Sequence, residues 1–403
     1  MVHKFAGIKH HLPTIAVILG YVVIIGVAGY LYSHLSASIT SNSTLSQDKS
    51  NLQTSLAREK EAHKTSENNY QALKKEDQYV INQALAKEVA AIKKIYKKSV
   101  EVYERLVSLR EVSKKTDAQD KQYAQSLKYL ADFNYASAEA QLITLDADIA
   151  KEKEKLASTF AIPTNVTSSN KAPGSGYSRQ RVSTPVGEYM IDIIAADLNS
   201  SRVIVDTASD GTCTNNCPVA ALGTYASRSG GFAGVNGPYF CPASYPSCAG
   251  KTNSFDTLLM NKNKSYFNSD NNVYSTVPAV IFSGNSARFV SQSQQWGRDT
   301  GVDSVIAGQP LLMLNGNRVF GGDGEPKRSG KGSRSFIGAT GNTVYIGVVH
   351  NVSTAEMAYV LQTLGISSAL NLDSGGSTAL WNGGRYIVGP GRDTPFGIVI
   401  TRK

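Results

Sequence analysis

The chain has 403 residues, longer than one hydrophobic core usually grows, so two or three units are expected and a single core is excluded. Its 41 Lys and Arg outnumber 32 Asp and Glu, for a formal net charge of +9. That excess favours anionic partners and does not by itself separate nucleic acid, an anionic membrane surface and an acidic polymer.

Residues Thr14 to Leu31, TIAVILGYVVIIGVAGYL, carry no charge, and these 18 residues at about 1.5 Å each nearly match a hydrocarbon core of about 30 Å. The run reads as a membrane helix or a long signal sequence. The poor cleavage site offered by SHLSASIT favours a retained anchor, placed at 12–32. Lys4 and Lys9 precede it, and the next Lys or Arg is Lys49. The positive-inside rule therefore puts residues 1–11 in the cytoplasm and the rest outside, as in a single-pass cell-membrane protein.

Residues 33–157 read as a helical stalk. From about Leu45 to Leu156 there is neither Gly nor Pro, while Lys, Glu, Ala, Gln and Leu dominate. Leu85, Val89, Ile92, Tyr96, Val100, Tyr103 and Val107 recur at spacings of three and four; Leu127, Leu130, Leu142, Leu145, Ile149 and Leu156 form a second stripe. The polar SKKTDAQDKQ, Ser113 to Gln122, separates them and offers Thr116 or Asp117 as an N-cap. A helical hairpin or short antiparallel coiled coil is expected, either a spacer that self-associates or packs on itself, or a surface for a partner. Residues 158–180, rich in Ser, Thr, Pro, Gly and Asn, read as a flexible linker.

From about Arg181 short β-branched runs such as YMIDIIAADL, RVIVDTAS and NTVYIGVVH alternate with Gly, Asn and Ser. One helix interrupts them, STAEMAYVLQTLG, with Ser353 or Thr354 as cap, Glu356 as first-turn acid and Gly365 as terminator. The fold class expected is α+β: a strand-rich mixed-sheet C-terminal domain, 181–403, preceded by a transmembrane helix and an all-α stalk. Cys213, Cys217, Cys241 and Cys248 fall in this exported part, and their even count reads as two disulfides. Three pairings remain open. The spacings suit zinc poorly, and no histidine is near.

The helix ending at Gly365 runs into an apolar strand and then NLDSGGST, Asn371 to Thr378. Gly375 and Gly376 let backbone amides approach an anion or sugar, Ser377 and Thr378 add donors, and Asp373 is the one ionised group, a candidate acid, base, nucleophile or metal ligand. The plain alternative is turn chemistry between two strands. SGKGS, Ser329 to Ser333, lacks the glycine and hydroxyl that a P-loop requires, so no nucleotide is implied.

NLDSGGST resembles the NLDGGGS signature of the phosphodiester glycosidase family. GGFAGVNGPYF (230–240) resembles that family's NG-x-[FY]-F turn, DSVIAGQPLLMLNG (303–316) the stretch before its arginine, GSRSFIGAT (332–340) its PRTAIG segment, and GRDTPFGIVI its closing strand. The resemblance spans about 181–403, with two departures: Ser374 replaces the signature's first glycine, and Ser333 and Ser335 replace the neighbours of Arg334. What it implies is hydrolysis of sugar-1-phosphate diesters. Asp373 would act at the glycosidic centre, Arg334 and Arg392 would recognise phosphate, and Asn236, Gly237, Tyr239 and Asn371 would line the substrate. His350, the sole histidine of this domain, is a proton-transfer candidate or a satisfied strand-end residue. A second carboxylate is expected for a glycosidase, with Asp303, Glu325, Glu356 and Asp393 as candidates. No cofactor is required by the pattern, although Ca²⁺ or Mg²⁺ would suit oxygen ligands beside a phosphate.

The expected protein is thus a membrane-anchored extracellular hydrolase of a cell-wall or exopolysaccharide glycan, binding no nucleic acid. The alternatives are a non-catalytic glycan-binding scaffold that regulates wall enzymes, and a peptidoglycan hydrolase or its activator.

Overall fold

The computed structural model describes residues 12–269 and 276–403, which divide into two units, 1–91 and 92–403. Lys4 and Lys9, on which the orientation argument rests, lie outside the described residues. In the first unit, helix α1 spans Leu12–Lys75 and is followed by α2, Asp77–Arg110, which continues into the second unit. Within α1, a window of mean hydropathy 1.6 is long and apolar enough to cross a membrane, and Val22, Val23, Ile24 and Ile25 are all at least 60% exposed. An apolar helix that buries none of this face has no core of its own to join.

In the second unit the end of α2 packs with α3, Asp117–Ala131, and α4, Tyr135–Ser158. Leu106, Leu109, Leu142 and Leu145 are fully buried there, with Ile95, Val102, Leu130 and Ile149 nearly so. Each such side chain stabilises the layer by about 1.5–3 kcal/mol. The first expected stripe is borne out only at its end: Leu85, Val89 and Tyr96 are exposed while Val107 is buried, and the rest of the buried face, Ile95, Ser99, Val102, Leu106 and Leu109, lies out of phase with the stripe. A second break, at Asp132–Asn134, also makes three helices where two were expected. Phe133 has φ 56°, and the Asn134 side chain accepts the Ser137 N–H to start α4.

The remainder is α+β. A mixed eight-stranded sheet has at its centre, in spatial order, the strands Gly187–Asp197, Thr343–Val352, Gly332–Thr340 and Ser368–Ser374, all antiparallel neighbours. One face packs on the helix Thr354–Thr363 through Phe336, Val349, Met357 and Leu361. The other meets strands of two five-stranded sheets, Ile337, Ile346 and Leu370 sharing a core with Val205, Val235 and Ile398 of one and Val280 and Ile306 of the other. Burial on both faces explains why these strands read as continuous apolar runs. Ser353 and Glu356 form a capping box on the helix, which ends before Gly365 at φ +76°.

Part of the segment taken for a flexible linker is ordered into the sheet. Gly176–Thr184 is a strand paired along its whole length with Gly187–Asp197, and Thr167–Ser168 pairs in parallel beside it. Its Ser and Gly content masks a period that only cross-strand pairing reveals. The disulfides are Cys213–Cys217 and Cys241–Cys248.

Candidate active site

The motif sits where a strand departs from regular pairing. Arg334 pairs with Ser374 and Phe336 with Asn371, so three steps on Ser368–Ser374 face two on its neighbour. The extra residue is a β-bulge at Leu372–Asp373, a device that re-aims a side chain at the end of a strand. Asp373 is buried, and burial pushes its carboxyl up to about 6 against the opposing pull of hydrogen bonds from Ser377 and the Ser374 amide and of the charges on Lys327 and Arg334. Gly375 adopts φ +63°, a conformation glycine enters without strain.

Arg334 is only 6% exposed. It donates to the carbonyls of Gly330 at 2.6 Å and Val352 at 3.3 Å, and no carboxylate of the described residues forms an ion pair with it. Burial lowers its pKa, while Tyr239 and Asp373 favour its charge. A buried guanidinium without its own carboxylate is costly unless an anion joins it.

The remaining candidates differ in how fully their hydrogen-bonding groups are occupied within the protein. All four hydrogen-bonding positions of Asn236 are occupied: Nδ2 donates to Gly237 O and Asp373 O, and Oδ1 accepts from Ser335 Oγ and Ala379 N. Asn236 therefore ties the Asp373 backbone to Ser335 and Ala379, and in this structure its amide is engaged within the protein. At Gly237 a Cβ would lie 2.1 Å from the Phe396 ring, so packing, not a ligand, demands the glycine. Asn371 donates to Tyr239 Oη and Gln309 O, both at 3.2 Å, and its buried Oδ1 has no partner. Burial raises the Tyr239 pKa, as does Asp373. Thr378 Oγ1 donates to the Ser333 carbonyl at 3.3 Å.

His350 belongs to an adjoining cluster. Its Nε2 lies 2.8 Å from Asp192 Oδ2 and its Nδ1 3.2 Å from Ser333 Oγ; the fully buried Asp192 also accepts from Tyr177 and Arg179. These bonds match the satisfied strand-end reading, and His350 touches Asp373 nowhere. Of the carboxylate candidates, Asp303 pairs with Arg202, Glu325 caps a short helix, and Glu356 completes the capping box with Ser353 while also accepting from Lys331 and Tyr189. Asp393 lines a cavity of about 450 Å³ beside Gly376 and Arg392. Among the described residues no group of three His, Cys, Asp or Glu is placed to hold a metal ion.

Several participants carry no sequence signal. Lys327 and Arg328 reach the site electrostatically from Pro326–Ser329, and Lys327 lies 5.0 Å from the Tyr245 ring centre. Lys153 of α4 is pushed down to about 8, by burial first and then by Arg105 and Arg334. Glu111, just beyond α2, accepts the Gly376 N–H at 2.8 Å and is ion-paired to Arg392. Arg392 also lies 3.4 Å from Ser244 Oγ and 5.5 Å from the Tyr245 ring, both inside the loop closed by Cys241–Cys248.

No curated protein matches the chain. Among solved structures it is similar to a hypothetical protein from Synechocystis, at 14% identity and TM-score 0.40 over 56% of this chain and 62% of that one. It is also similar to the catalytic domain of zebrafish N-acetylglucosamine-1-phosphodiester alpha-N-acetylglucosaminidase auto-inhibited by pro-peptide, at 14% identity and TM-score 0.45 over 59% and 87%. Residues 231–401 match the phosphodiester glycosidase family, and that span holds the whole of NLDSGGST, Arg334, Arg392 and the Asn236–Tyr239 turn. Residues 231–401 accordingly carry a domain matched by the phosphodiester glycosidase family model, which points to a glycosidase-type hydrolase.

Proposed function

We propose that the chain is a membrane-anchored extracellular hydrolase that cleaves sugar-1-phosphate diester linkages in a cell-wall or exopolysaccharide glycan. The observation that carries this reading is Asp373, with its carboxyl pushed up to about 6, near a buried Arg334 that forms no ion pair with a carboxylate among the described residues. The diester contributes one negative charge, which Arg334 can receive. A departing phosphate monoester is a good leaving group and needs little protonation. Asp373 therefore works ionised at the anomeric carbon, either attacking it or removing a proton from the water that does. The C1–O bond to phosphate breaks and the phosphate leaves beside the guanidinium. The open acceptor at Asn371 Oδ1 supports a hydrogen bond to a sugar hydroxyl or to water at this site.

The exposed apolar face of α1 supports a membrane anchor, and two disulfides support an oxidising compartment outside the cytoplasm. The test is incubation of the full chain in detergent with defined sugar-1-phosphate diesters and, separately, with peptidoglycan, followed by analysis of released products. Release from the diesters alone is expected. Release from peptidoglycan alone would make the protein a wall hydrolase of another kind, and release from neither would leave a glycan-binding scaffold.

A further inference from the structure

The helical layer places a carboxylate of its own in the glycine turn of the motif. Glu111 Oε2 accepts the Gly376 amide at 2.8 Å, and Oε1 is ion-paired to the Arg392 guanidinium. The fit is close: a Cβ on Gly376 would stand 2.4 Å both from Glu111 Oε1 and from Arg392 Nη2, and one on Gly375 would stand 3.2 Å from Glu111 Oε2. A main-chain amide beside a guanidinium is a receptor for an oxyanion, and each of its two donors here holds one carboxylate oxygen, as two oxygens of a phosphate would be held. Other contacts seat the same helical layer on the same end of the sheets. Glu104 accepts the Ser247 N–H at 3.0 Å, Asn351 Nδ2 donates to Ala157 O at 2.9 Å, and Phe160 stacks on His350 with ring centres 6.3 Å apart.

We propose that Glu111 is an internal ligand of this anion site, so that the end of α2 and a phosphate-bearing ligand compete for the Gly376 amide and Arg392. With Glu111 in place the turn is closed to a phosphate; with phosphate bound, the segment that carries Glu111 is released from it. The inference deepens the reading of the site as one for phosphodiesters, but its binding step needs no turnover. Glu111 also explains why the helical layer has a charged residue aimed at the glycines where a plain spacer would need none.

The experiment titrates inorganic phosphate against the full chain in detergent micelles by calorimetry, for the wild type and Glu111→Ala. Phosphate binding at least tenfold tighter in Glu111→Ala is expected, and Arg392→Gln added to it should abolish the gain. Hydrogen exchange at residues 107–113 of the wild-type chain should rise at saturating phosphate, a readout that requires no variant to fold. Phosphate binding that is no tighter in Glu111→Ala, or exchange at 107–113 that phosphate leaves unchanged, overturns the proposal. Tighter binding in Glu111→Ala without release of product from any diester leaves the internal ligand standing and overturns the hydrolytic reading alone.

Discussion

Asp373 carries a cost in stability beside the chemical role proposed for it. Its folded pKa, about 6, lies above the ordinary 3.8, so its favourable contribution is complete below the ordinary value and is lost as pH rises through about 6. At pH 7 the ionised carboxylate costs on the order of 3 kcal/mol. Asp373→Asn should therefore raise the melting temperature at pH 7 and change it little at pH 4, while lowering kcat by about 10²–10⁴ with ligand binding retained. In the wild type, kcat should rise with pH through about 6 as Asp373 ionises; a profile that falls there would assign it the role of acid. Arg334→Gln should lower kcat/KM by about 10²–10³, because the developing phosphate charge loses its partner. Asp373 and Arg334 stand out as candidates in the sequence through the ordered motifs, and the structure buries both. Glu111 and Lys153 do not stand out, since a charged residue near a helix end looks the same whether it faces water or a site.

At the level of elements, the helix limits arise from local chemistry, and the capping box and the helix end appear where Ser353, Glu356 and Gly365 predict them. Ser353→Ala should lower stability by about 0.5–2 kcal/mol, measurable as a drop in melting temperature. The helical layer was harder to read, because Val89, Tyr96 and Val100 have the same spacing as the true face and differ only in phase; packing against α3 and α4 selects Ile95, Val102 and Leu106. The Cys241–Cys248 bridge restrains Ser244 and Tyr245, both of which meet Arg392. Closing so short a loop stabilises the chain by only about 2 kcal/mol. Reduction by dithiothreitol is thus expected to weaken substrate binding, read as a rise in KM, at concentrations below those that unfold the domain. Simultaneous loss of both would show that the bridge acts on the fold as a whole.

For the whole molecule, the boundary suggested by composition falls inside a strand. A fragment beginning at Arg181 keeps only the second part of Gly176–Thr184 and loses Tyr177 and Arg179, which together donate three hydrogen bonds to the buried Asp192. Removing these donors leaves the buried Asp192 with His350 as its remaining partner, at a cost of about 3 kcal/mol. A fragment starting at Ile92 retains these bonds and the helical layer, and it should melt at least several degrees above one starting at Arg181 in differential scanning calorimetry.

The bulge at Leu372–Asp373 has a further consequence for how such a site can be gained or lost. A strand repeats every two residues, so one added residue acts as a phase shift, exchanging the faces of the residues beyond it relative to the neighbouring strand. Deleting one residue there would restore regular pairing and could leave Leu370 and the core intact while turning the functional group away from Arg334. In this region the difference between a catalytic domain and a silent relative can therefore be a single codon, one that substitutions at Asp373 would never reproduce.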